Sequence, residues 1–163
     1  MVDIDCRDLD EIKKMFEEAK KIYNLPNWNN LEENFDVSKA FTGEGGIVLR
    51  DIRRKMNEKI ASYLHLFETF INPQSTPMFI MNVLKNLDED DWKNVRRSYK
   101  ELASLQFKQI LADTIYSEEK EAELIKEIYK MWEKEKKGIA EIIEVLDKKY
   151  SENSSDKKKS YFG

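Results

Sequence analysis

Residues 47–71, IVLRDIRRKMNEKIASYLHLFETFI, decide the fold. Leu49, Ile52, Met56, Ile60, Tyr63, Phe67 and Phe70 recur at spacings of three and four, which places them along one face of an α-helix. The other positions are mostly charged or polar, so this helix has one face for a core and a wide face for water. Asn72-Pro73 ends it, because proline cannot continue the backbone ladder.

The same periodicity extends in both directions. Upstream, Leu9, Ile12, Phe16, Ala19 and Tyr23 predict a helix over Asp8–Tyr23, with Asp8, Asp10 and Glu11 in the first turn, where the helix dipole favours them. Residues 24–46 read as an irregular loop carrying a short helix over 31–40. Its end, Thr42-Gly43-Glu44-Gly45-Gly46, is the one glycine cluster. A loop before a helix can hold phosphate with backbone N–H groups. The lysine and Ser/Thr of a P-loop and its preceding strand are missing, so an interhelical loop is expected.

Downstream, Thr76 and Pro77 open a short helix over 77–87 that is apolar nearly all round, and such helices are normally buried. Asp88 and Asp91 form a capping signature for a fourth helix reaching Tyr116, with Trp92, Val95, Tyr99, Leu102, Gln106 and Ile110 on one side. Ser117 caps a fifth, whose seam is Ile125, Ile128, Trp132, Ile139, Ile143, Leu146 and Tyr150. Lys136 interrupts that seam and Gly138 weakens the helix locally. A helix of that length exceeds what a compact domain of this size can cover. The seam is therefore also read as the partner or self-association interface. Residues 151–163, SENSSDKKKSYFG, have the composition of a disordered tail, and Tyr161 and Phe162 could serve as a docking motif.

The expected architecture is thus all-α: an irregular helical bundle of four to five helices over residues 1–150, with a long C-terminal helix and a disordered tail. Composition agrees. Among 163 residues there are only five glycines and three prolines, too few turn residues for a β-rich fold. Charged residues reach 37%, well above the usual quarter, which suits helices with broad solvated faces. The longest apolar run has four residues, so no membrane span is expected. The single cysteine, Cys6, cannot form an internal disulfide, and a cytoplasmic location is the expectation.

Few residues carry chemistry. His65 is the one histidine, and its helical position is opposite the seam, near Glu58 and Glu68. No second histidine or cysteine completes a metal site. No catalytic residue and no cofactor are expected. The basic residues are more informative. Lys93, Arg96, Arg97 and Lys100 follow i, i+3, i+4, i+7 spacing with no acid between them, and Arg50, Arg53 and Arg54 flank the seam of their own helix. Arginine grouped this way suits phosphate or carboxylate. Pairing of Glu89 with Lys93 and of Glu101 with Arg97 would instead neutralise the stripe. The net charge of −4 confines any polyanion contact to such a patch.

Two stretches, DIRRKMNEKIASYLHL (51–66) and LDEDDWKNVRRSYKELASLQFKQI (87–110), resemble the helical domain of GINS replication-complex subunits. Ser62-Tyr63-Leu64 and Asp88–Tyr99 carry the likeness, which implies a subunit of a replication assembly. The small β domain of that family is not visible, and the last helix is longer than the family's.

The functional expectation is a non-catalytic helical subunit or adaptor with a protein partner or self-association. A nucleic-acid contact would run through the seven basic residues. The alternatives are a metal- or small-molecule-binding bundle using His65, and a viral or host-factor inhibitor of another protein.

Overall fold

The computed structural model describes residues 9–41 and 46–160, with side chains through Asn153. Cys6, Asp8, most of the glycine cluster, Tyr161 and Phe162 lie outside the described residues. The described chain is all-α and contains no strand. Its helices are α1 (Leu9–Tyr23), α2 (Trp28–Phe35), a 3-10 helix (Val37–Ala40), α3 (Val48–Ile71), α4 (Met78–Leu84), α5 (Glu89–Ala103), α6 (Gln106–Thr114) and α7 (Glu118–Ser160). No helix among them is long and apolar enough to cross a membrane.

The chain packs as two compact units, Met1–Ala61 with Leu105–Trp132, and Ser62–Ser104 with Glu133–Gly163. In the first unit Ile12, Phe16, Leu31, Ile52, Met56, Ile60, Ile125 and Ile128 are essentially shielded from water. Each such side chain contributes about 1.5–3 kcal/mol by burial. Trp28 meets Phe16 edge-on at 5.4 Å and stacks with Phe41 at 6.3 Å. Phe35 lies 5.9 Å from Trp132, whose indole N–H donates to Asn34 Oδ1 at 3.0 Å. Residues 24–41 are more ordered than their composition suggests. Asp36 ends α2 in the left-handed region (φ 52°), and the Glu32 carboxylate accepts from both Ser38 N and Ser38 Oγ, which fixes the 3-10 turn.

The second unit is built on Phe67, Phe70, Val83, Leu84, Val95, Leu102, Ile139 and Ile142. The predicted cap on α5 forms in full: Asp91 N donates to Asp88 Oδ1 at 2.8 Å, and Asp88 N to Asp91 Oδ2 at 3.2 Å. Thr76 does not cap α4. Its hydroxyl donates back to the carbonyls of Thr69 and Asn72 at the end of α3.

Three expectations change. The apolar segment 77–87 is not central core: Val83 and Leu84 are buried, but Met78 is 76% and Phe79 60% exposed. The predicted helix over 88–116 is two helices. At Ser104 both N–H and Oγ donate to the Glu101 carbonyl, a tightening to i−3 bonding that ends α5. The division between the units falls at this break. Its seam is also shifted. Val95, Ser98, Leu102, Gln109 and Ala112 are buried, whereas Ile110 is exposed. Finally, α7 is helical through Ser160, so residues 151–160 of the predicted tail have helical backbone.

Candidate nucleic-acid interface

The two basic groups have different fates. In the first unit, α3 aims Arg50, Arg53 and Arg54 at Asp113 of α6 and Glu121 of α7. Arg53 is 0% exposed. Its Nε donates to Glu121 Oε2 at 2.6 Å, Nη1 to Gln109 Oε1 at 3.0 Å, and Nη2 to Asp113 Oδ1 at 2.7 Å. Burial works against the Arg53 charge, but the Glu121 and Asp113 carboxylates more than offset it and its pKa is raised. No phosphate can reach this guanidinium. The expectation that Arg53 contacts a polyanion is therefore corrected: it is a buried structural cation, and only its partners, distant in sequence, reveal this.

Arg50 and Arg54 are engaged by the same acids. Arg50 Nε donates to Glu121 Oε1 at 3.3 Å, and its guanidinium lies 4.5 Å from the Tyr116 ring centre. Arg54 Nε donates to Asp113 Oδ1 at 3.0 Å. The Arg53 hydrogen bond, opposed by burial and joined by Arg54, holds the Asp113 carboxyl below its ordinary pKa. Burial, then Glu118 and Glu121, push the Tyr116 phenol up.

The second unit differs. Lys93, Arg96, Arg97 and Lys100 are all exposed on α5. None of their side chains forms an ion pair or hydrogen bond among the described residues. The neutralising pairs expected from helical spacing do not form. Glu101 accepts an ion pair from Lys134 of α7 at 3.2 Å instead of turning to Arg97. The Arg97 guanidinium lies over Gly138 of α7, where a Cβ would stand 3.1 Å from Nη2. Lys137, one residue earlier, is 88% exposed and loosely paired with Glu141 at 3.9 Å. The four predicted α5 residues therefore share one open surface within their unit.

The chain matches no protein-family model, no curated protein and no solved structure. The likeness to GINS subunits thus rests on residues 51–66 and 87–110 alone.

The seam of α7 divides. Ile125, Ile128, Trp132 and Ile139 are buried within their own units, so they are not available to a partner. Ile143, Leu146 and Tyr150 are partly open. In the second unit they line a groove of about 630 Å³ with Phe70 of α3 and Phe79 and Val83 of α4. The Phe79 and Tyr150 rings meet edge-on at 6.4 Å. Asp147 is the one charged residue in the lining.

His65 is 82% exposed and its Nδ1 lies 3.9 Å from Glu68 Oε2. Among the described residues no three His, Cys, Asp or Glu side chains converge as a metal site requires. One surface was missed by the sequence reading. Phe107, Ile110, Leu111 and Ile115 are all more than half exposed along α6 and its end, with Phe107 at 85%. Their spacing of three and four was visible, but it was indistinguishable from a core-facing stripe.

Proposed function

We propose that this protein is a non-catalytic helical adaptor that contacts nucleic-acid phosphates through Lys93, Arg96, Arg97 and Lys100 of α5. One observation carries the reading: these four cations are exposed and unpaired among the described residues, in a chain whose other arginine cluster is bound to internal acids. A solvated cation that is not neutralised from within is free to exchange counterions for phosphate, which is the sequence-independent part of nucleic-acid affinity. Apolar side chains exposed on α6 and around the groove of the second unit support the adaptor half, since such surfaces commonly mark contact with other proteins.

The test is fluorescence anisotropy with a labelled 20-mer at 50 and 200 mM salt. Four phosphate contacts give a slope of log affinity against log salt of about −3. Binding should therefore weaken roughly 50-fold across that fourfold change. The Arg96→Glu/Arg97→Glu variant should not bind. A salt-independent affinity, or equal binding by that variant, would overturn the reading.

A further inference from the structure

We infer that the α5 surface takes single-stranded rather than duplex nucleic acid, with bases resting on Trp92 and Tyr99; this rests on the phosphate reading above. Trp92 and Tyr99 stand at i−4 and i+3 from Arg96, so they are its immediate neighbours on the helix surface. At 100° per residue both rings border the cationic arc on its side toward the core. Both are only half-buried, and neither side chain makes a ring contact or hydrogen bond among the described residues. The other two tryptophans are treated differently: Trp28 and Trp132 are buried and packed against Phe16 and Phe35.

Cations that track a backbone, interleaved with accessible aromatic faces, form the arrangement that binds single strands without reading sequence. Residues seven apart on a helix are separated by about 10.5 Å along its axis. Stacked bases in a duplex step by about 3.4 Å. The two rings therefore take separated bases, and a duplex, whose base faces are covered by their neighbours, offers none. Two acids bound the surface one turn before Lys93: Glu89 and Asp90 are both exposed, with Glu89 on the cationic arc itself and Asp90 at its edge beside Arg97.

The experiment compares a labelled dT20 oligonucleotide with a 20-base-pair duplex on the full chain, reading both anisotropy and tryptophan emission. Trp92→Leu, Trp92→Phe and Tyr99→Leu variants are run beside the wild type after their melting curves confirm folding. We expect the single strand to bind at least tenfold tighter than the duplex and to quench emission. Trp92→Leu and Tyr99→Leu should each lose roughly tenfold in affinity, and Trp92→Phe should retain most of it. The quench should be absent in both Trp92 variants, because the buried tryptophans do not report. Equal affinity for duplex and single strand, or binding by the leucine variants equal to wild type, would overturn the stacking inference and leave the phosphate surface standing. The wild-type comparison of the two oligonucleotides decides the matter even where a variant fails to fold. Binding of neither oligonucleotide at 50 mM salt would overturn both readings. So would displacement of dT20 by polyglutamate at equal charge, which would point to an acidic protein.

Discussion

Arg53 and Glu121 form an ion pair 2.6 Å long in which both side chains are fully shielded from water. The pair joins α3 to α7 across 68 positions of sequence. Removing one member leaves the other charged and desolvated, which typically costs about 3–5 kcal/mol. Arg53→Met and Glu121→Met should each show a loss of this size in urea unfolding. The double variant should lose less than the sum, because a buried pair is often replaced by apolar side chains at little cost. An additive double variant would show that the two groups do not act as a unit.

Asp113 extends that network to the surface. Its native pKa is depressed by Arg53 and Arg54, so it lies below the value in the unfolded chain. Its contribution to stability is therefore complete above the ordinary carboxylate range, about pH 4. It is lost as pH falls through the lowered native value. Asp113→Asn should destabilise the protein at neutral pH and flatten the acid limb of its stability profile. Urea titrations between pH 7 and pH 3 would read both effects; an unchanged acid limb would remove Asp113 from this role.

Gly138 offers a gain. It sits inside α7, where glycine is about 1 kcal/mol worse than alanine. The atom that a new Cβ would crowd is the end of the exposed Arg97 side chain, which can move aside. Gly138→Ala should raise stability by up to about 1 kcal/mol. A lower melting temperature would mean that Arg97 is held more firmly against α7 than its exposure implies.

On α6, the Phe107→Lys/Leu111→Lys variant should unfold within about 0.5 kcal/mol of wild type, because both side chains already face water. It should also lose binding of a dye that fluoresces on apolar surfaces. A large loss of stability would place these side chains in the core.

Glu89 should weaken polyanion binding, since its carboxylate borders the cationic arc. Glu89→Gln should tighten dT20 binding a few-fold, on the order of 0.5–1 kcal/mol, in the range of exposed charge pairs. No change at 50 mM salt would place the oligonucleotide nearer Lys100.

Much of the fold was legible because α3 and α7 announce themselves locally. Of the predicted seam, Leu49, Ile52, Met56, Ile60, Phe67 and Phe70 are buried as their spacing requires, and Tyr63 is half-buried. The Asp88–Asp91 cap forms because it depends only on residues three apart. The break at Ser104 was hidden, since serine in mid-helix has no fixed meaning until its hydroxyl chooses the Glu101 carbonyl. The buried face of α5 was misjudged because it carries Ser98, whose hydroxyl faces the buried Glu135 carboxylate at 3.5 Å, in place of a bulky residue.

The candidate site separates what each level decides. Sequence alone determined that Lys93, Arg96, Arg97 and Lys100 lie on one helical face, because 3.6 residues per turn permits no other arrangement. It determined equally that Arg50, Arg53 and Arg54 flank a core seam. Only tertiary structure decided that the first group stays open while the second is bound by Glu121, Asp113 and Gln109. Helical periodicity fixes where a side chain stands on its own element. Whether that charge meets water or a carboxylate depends on contacts between residues more than fifty positions apart, and no local pattern encodes them.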